Sequence, residues 1–309
     1  MILCCGESLI DMIPEQTIRG GSGFVPHAGG AIFNTAIGLG RLDCSVGLMS
    51  GISTDIFGQQ LMADLKASNV DTNNVIRSDR PTTLAFVKLS GGQASYSFFD
   101  ENSAGRMIGS DDLPIQLGNV TALLFGGISL ACDPGAEAYL QFAEAYAEGL
   151  VVMVDPNIRP SFISDEAAFR DRIERIFRLA DIVKVSNEDL NWLFQGPETL
   201  EQKVFKLQKI GPAVVILTRG SLGAQAWTPV GNSVFVESQK VDVIDTVGAG
   251  DSFNAGLLGS LAAAGLLNKA VIRSISESDT IMAMEFGAHV AAITVGRAGS
   301  NPPWKHELR

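Results

Sequence analysis

The stretch from Asp245 to Gly256, DTVGAGDSFNAG, constrains this 309-residue chain more than any other. Three small residues, Gly248, Ala249 and Gly250, stand between two aspartates and run into an apolar segment. Phe253, Leu257 and Leu261 recur there every fourth residue. The spacing predicts a helix over 250–264 with one buried face, entered from a glycine-rich turn. Small residues let a ligand approach the backbone closely, and the N–H groups and dipole of a helix N-terminus favour an anion. Asp251 would lie within reach of the same volume. Phosphoryl transfer needs donors on the transferring group and a base for the attacking hydroxyl. The same residue types also fit a plain helix start with an acid in its first turn.

Apolar residues make up 46% of the chain and charged residues 18%, enough for a large packed core. Apolar runs at 2–10, 46–49, 122–125, 151–154, 182–185 and 213–217 read as buried strands. Helical patterns separate them at 29–42, 56–67, 135–148, 165–179 and 200–209, and close the chain at 250–264 and 276–294. The alternation predicts one α/β domain over 1–309, a doubly wound, mostly parallel sheet flanked by helices. Residues 82–99 break the pattern: two strands of alternating faces about Gly91-Gly92 predict a hairpin. With the glycine-rich segment 11–27, residues 82–100 are expected to form a small β lid.

A formal net charge of −11 disfavours nucleic acid as a partner, since phosphate backbones need a basic face. Four cysteines without a C-x-x-C pair, and only three histidines, argue against a disulfide scaffold or a zinc site. Cys4 and Cys5 read as buried thiols. No signal-like segment or long uncharged apolar run is expected to reach a membrane, which points to a cytoplasmic protein. The Walker A, dinucleotide G-x-G-x-x-G, H-E-x-x-H and G-x-S-x-G patterns are all missing.

D-T-x-G-A-G-D followed by S-F-x-A-G resembles the second signature of the ribokinase-like (PfkB) carbohydrate kinases. Upstream, the residues from Gly29 to Leu42, GGAIFNTAIGLGRL, are similar to that family's first signature, in the expected order. The likeness covers nearly the whole chain. It implies a ribokinase-like fold with ATP and Mg²⁺ as cofactors. It implies Asp251 as the catalytic base and Gly248, Ala249 and Gly250 as the anion hole. Asp11, Gly29, Gly30 and Asn34 match sugar-side positions, although Asn34 would also serve as a helix-start cap. "DPNIRP", 155–160, resembles the D-x-N-x-R of fructokinases and 2-keto-3-deoxygluconate kinases and implies that Asn157 and Arg159 face substrate and phosphates; a plain turn is the other reading. "LTRGSLGA", 217–224, implies Thr218, Gly220 and Gly223 along the ATP, or again a simple turn.

Two departures stand out. The family's metal-linked N-x-x-E falls at "SNED", where Ser186 and Asp189 replace the usual residues. Ser186 is then expected on the nucleotide, with Glu188 or Asp189 holding Mg²⁺ through water. "GRAGSNPP", 296–303, is only loosely similar to the monovalent-cation loop, so a K⁺ site at Asp245 and Val247 is an expectation of the family alone. For the acceptor, sugar-acid kinases of this family carry an Arg in an aromatic-aromatic-Arg string on the lid. Here the string is Phe98-Phe99-Asp100, and an acid repels a substrate carboxylate. The resemblance thus implies fructose, phosphorylated on O6. A 2-keto-3-deoxygluconate kinase, with Arg106 or Arg159 on the carboxylate, is the alternative, and Tyr96, Phe98 and Phe99 leave room for a nucleoside. A sensor without catalysis would be expected to lose Asp251 or its glycines. Lids in this family often pair between subunits, which implies a homodimer.

Overall fold

A computed structural model describes residues 1–90, 93–229, 231 and 233–308. The chain opens with β1 (Ile2–Cys5). The apolar run 2–10 does not continue as one strand: Gly6-Glu7-Ser8 breaks it, and Leu9 begins β2 (Leu9–Gln16) in a different sheet. The cause is local. A Cβ at Gly6 would lie 2.5 Å from Ile32 Cγ1, so the backbone turns tightly against the helix that follows. Next come β3 (Ser22–Gly29), α1 (Ala31–Arg41), β4 (Val46–Met49), β5 (Gly51–Ser53), α2 (Ile56–Ala67) and β6 (Ile76–Ser78). The predicted hairpin is β7 (Leu84–Ser90) with β8 (Gln93–Phe99); its Gly91-Gly92 turn lies outside the described residues.

The second half alternates β9 (Ala122–Gly126), α3 (Gly135–Tyr146), β10 (Val151–Asp155), α4 (Glu166–Leu179) and β11 (Ile182–Ser186). Then follow α5 (Asn187–Leu193), α6 (Leu200–Ile210), β12 (Val214–Thr218), β13 (Ala224–Trp227) and β14 (Ser233–Val236). The last helices are α7 (Ala249–Ala263), α8 (Lys269–Ile272) and α9 (Glu277–Val295). The main sheet runs β14-β13-β12-β11-β10-β9-β1-β4. Its pairs are parallel except at β13 and β14, which fold back as an antiparallel edge.

These strands read as unbroken apolar runs because both faces are covered. Ile2, Cys4, Leu124 and Met153 pack with residues of α1, α7 and α9. Their neighbours Leu3, Cys5, Leu123 and Val154 pack with residues of α3, α4 and α6 on the other side. Phe253, Leu257 and Leu261 are buried on one face of α7. Gly256 lets α7 press against α9, since a Cβ there would lie 2.7 Å from Gly287 Cα.

A second sheet, β3-β2-β7-β8, stands beside the main one. The glycine-rich segment 11–27, expected in the β lid, is mostly the β2–β3 hairpin: Asp11 pairs with His27, and Ile13 with Val25. Parallel pairing of β2 with β7 joins it to the second hairpin. No helix among the described residues is long and apolar enough to cross a membrane.

Candidate active site

The carboxyl ends of the parallel strands define one edge of the main sheet, where open α/β sheets bind ligands. Beyond β1 lies Glu7, at the end of β10 Asp155, and at the ends of β11 and β12 the paired residues Ser186 and Thr218. Helix α7 starts at this edge. Its N-cap is Gly248, in left-handed backbone at φ 77°, and a Cβ there would fall 2.2 Å from Ser300 Oγ. Only glycine fits. The N–H groups of Gly248, Gly250 and Asp251 have no hydrogen-bond partner among the described residues. Ala249 N–H turns back to Thr246 O at 3.3 Å. The cradle is therefore made by Gly248, Gly250 and Asp251 backbone more than by Ala249.

Asp251 is buried, and Asn34 Nδ2 donates to its Oδ2 at 2.9 Å. Burial pushes its carboxyl up to about 7. Asp155 and Glu7 add to the rise, while the Asn34 bond and the Lys184 charge oppose it. Asn34 is thus no helix cap: the N-cap of α1 is Gly30, at φ 106°. Capping is done from outside the helix, by Glu7. Its Oε1 accepts the N–H groups of Ala31 at 2.8 Å and Ile32 at 3.4 Å. A Cβ on Gly30 would meet Glu7 O at 2.9 Å, and one on Gly29 would meet Asp11 Oδ2 at 2.2 Å. Each residue of the first glycine pair makes room for an acid. Burial raises the Asp11 carboxyl to about 6, against the opposing charge of Arg159.

Burial raises the Tyr96 hydroxyl, and the charges of Asp11, Arg159, Asp245 and Asp251 also act on it, so this β8 side chain faces the same groups. Tyr96 stacks on Phe98, and Phe98 meets Phe162 edge-on at 4.8 Å. Asn157 adopts φ 40°, a left-handed conformation that asparagine tolerates. Arg159 Nη1 donates to the carbonyls of Asn157 and Ile158. Thr218 ends β12, and Gly220 and Gly223 follow it at φ 54° and 111°. A Cβ at Gly223 would meet Val236 O at 2.2 Å.

The "SNED" residues behave differently from their motif reading. Ser186 Oγ and Asp189 form a reciprocal cap at the start of α5. Asp189 Oδ1 also accepts Ile158 N–H at 2.8 Å, so both its oxygens are engaged within the protein. Glu188 is exposed. Asp245 is engaged too, by Val247 N–H at 3.0 Å and Gly299 N–H at 2.9 Å, which draws the 296–303 loop beside the α7 turn. Arg106 is spoken for as well: its Nε donates to Asp133 O, and Nη1 lies 3.8 Å from Asp100.

Four participants escaped the sequence reading. Asp155 and Asn254 stand inside the quoted motifs and Glu7 inside the apolar run 2–10, with no signal of their own. Lys184 carried a visible signal, a charge in the middle of an apolar strand. Its Nζ donates to Asp155 Oδ2 at 2.8 Å, and Asn254 Nδ2 donates to the same oxygen at 2.7 Å.

The pfkB family carbohydrate kinase model matches residues 1–307 of the chain. The chain belongs to that family. This PfkB kinase is 47% identical over 278 residues to a fructokinase of Rhizobium leguminosarum bv. trifolii, covering 90% of this chain and 84% of the relative. Its fold matches the Xylella fastidiosa fructokinase with bound ATP at a TM-score of 0.89, with 26% identity over 97% of this chain and 93% of that one. It also matches a Vibrio cholerae O395 fructokinase bound to fructose, ADP and calcium ion, at a TM-score of 0.83, 26% identity, and coverage of 97% and 94%. The PfkB kinase therefore has the ribokinase-type α/β architecture, and it is a sugar phosphotransferase.

Proposed function

We propose that this kinase transfers the terminal phosphoryl group of ATP to O6 of fructose, giving fructose 6-phosphate and ADP. The observation that carries the chemistry is Asp251. Its carboxylate sits in the first turn of α7, beside backbone N–H groups that have no protein partner. Asp251 accepts the proton of the sugar hydroxyl as that oxygen bonds to phosphorus. The bond from phosphorus to the bridging oxygen of ADP breaks, and the N–H groups at the turn hold the transferring oxygens. Fructose as acceptor draws support from the 47% identity with a fructokinase.

In this reading Asp11 accepts hydroxyl bonds from the sugar, and Asn34, its nitrogen used on Asp251, offers its amide oxygen. Arg159, whose charge acts on Asp11, is assigned to the phosphates. Phe98 covers the sugar face. Thr218, Gly220 and Gly223 line the nucleotide. Ser186 keeps its place at the strand end but serves first as a cap.

The residues present fit Mg²⁺ bound mostly by phosphate oxygens and water. No cluster of three acids that could cage a metal occurs among the described residues, and Mg²⁺ commonly keeps several waters. Glu188 would hold it through water more readily than Asp189, whose oxygens are taken. When bound, the ion offsets charge on the phosphates. A K⁺ beside the turn would fall to Asp245 and Val247. Ser300 Oγ, buried there without a partner, fits such a site.

We extend the reading to a homodimer through the second sheet. Phe24, Phe86 and Phe99 form an edge-to-face ladder at 5.0 and 5.3 Å, with Phe24 and Phe99 about half exposed. Light scattering should give twice the chain mass across a dilution series; a monomer at every concentration contradicts it. The position of transfer is tested by ¹³C NMR of the product. Phosphorus coupling is expected on C5 and C6 of fructose, and coupling on C1 and C2 would overturn the O6 assignment.

A further inference from the structure

Lys184 lies on an interior strand, 6% exposed, on the sheet face that meets α7. A buried ion pair is a poor device for stability, because desolvation consumes most of what the attraction supplies. Its position suggests another use. A Cβ on Gly250 would lie 3.0 Å from Lys184 Nζ, so the ammonium packs directly behind the backbone of the anion-binding turn. An ammonium has three donors, and one of them is used, on Asp155 Oδ2. That same oxygen takes Asn254 Nδ2 from α7, which fixes the pair to the helix that carries Asp251.

We propose that Lys184 is a positioning residue for transfer: its buried ammonium, anchored by Asp155 and Asn254, supplies fixed positive charge behind the Gly248–Gly250 turn and keeps Asp251 ready to accept a proton. The groups facing Asp251 make the need plain. Glu7 comes from the β1–β2 link, Asp155 from β10, Asn34 from α1 and Tyr96 from β8. Two of these are acids, and the opposing charge is Lys184. Asp189 also faces Lys184 from α5 and helps keep it charged. Without the ammonium, Asp251 would share a buried space with two acids and hold its proton to higher pH. The glycine at 250 also gains a reason, since even a Cβ there would crowd the ammonium at 3.0 Å.

The inference rests on Asp251 being the base, and the test separates the two. The readout is the pH dependence of kcat/KM for fructose. Lys184→Gln should move the acid limb upward by about one pH unit with little change in fructose KM, whereas Lys184→Arg, which keeps the charge, should leave the limb near its original place. A purely structural lysine would lower the melting temperature and leave the limb unmoved. A folded Lys184→Gln enzyme with an unmoved limb overturns the inference, while the Asp251 assignment stands as long as Asp251→Asn is strongly slowed. Retained turnover in Asp251→Asn would instead remove the base. If Lys184→Gln does not fold, the paired change Asp155→Asn with Lys184→Gln leaves no unpaired buried charge. That enzyme should lose about tenfold in kcat at unchanged sugar KM; wild-type kcat would overturn the inference.

Discussion

Asp251→Asn should fold, bind ATP and fructose, and turn over roughly 10²- to 10⁴-fold more slowly than the parent enzyme, the range expected for loss of a general base. Asparagine keeps the shape and can still face Asn34 Nδ2, but it cannot take the hydroxyl proton. The same change should stabilise the fold. With its carboxyl raised to about 7, the native protein holds a proton on Asp251 that the unfolded chain has already released above pH ~4. The native state therefore binds more protons between about pH 4 and 7, and stability falls as pH rises through that window. Asparagine removes this loss. The melting temperature of Asp251→Asn relative to the parent should climb from pH 4 to pH 7 and then level off. Activity loss paired with gained stability is the mark of a strained functional group. Near-normal turnover in the variant would remove Asp251 from its role.

Much of this was readable because the sequence rules and the fold agree. Strands covered on both faces must be apolar throughout, so Val151–Val154 and Val214–Leu217 announce themselves, and α7 shows its buried face at Phe253, Leu257 and Leu261. β5, β6, β13 and β14 did not show: with three or four residues each, polar ones among them, they form neither a period nor an unbroken apolar run like β4. The run 2–10 misled because Leu9 and Ile10 are as buried as Ile2, yet belong to another sheet. At the site, the glycine-rich turn and Asp251 were legible because both signal by local pattern. Glu7, Asp155, Lys184 and Asn254 act through contacts between distant segments, and no local spacing encodes those. "SNED" shows the opposite case: a capping box and a metal motif share residue types, and Ser186 and Asp189 adopt the capping geometry.

The second large effect concerns the choice of sugar. A keto-deoxy sugar acid needs a free cation for its carboxylate. Arg106 is committed to Asp133 O and faces Asp100, while Arg159 is folded onto the carbonyls of Asn157 and Ile158, with its charge acting on Asp11. Asp100 is itself buried and accepts the hydroxyls of Thr83 at 2.8 Å and Ser103 at 2.9 Å, so it is fixed in place. With Glu7, it lines the same small recess as Arg106. A substrate carboxylate reaching for Arg106 there would face Asp100 and Glu7 beside it. Discrimination built on a repelled charge is strong, and a neutral ketohexose should be preferred by about 10²-fold or more in kcat/KM.

The measurement that tests the account most directly is ADP release by the purified enzyme with ATP and Mg²⁺, with fructose and 2-keto-3-deoxygluconate offered in parallel. Turnover dependent on fructose, and at least about a hundredfold better than with the sugar acid, is the expected result. Preference for the sugar acid would mean that Arg106 or Arg159 leaves its present partners to bind a carboxylate. It would contradict the neutral-sugar assignment.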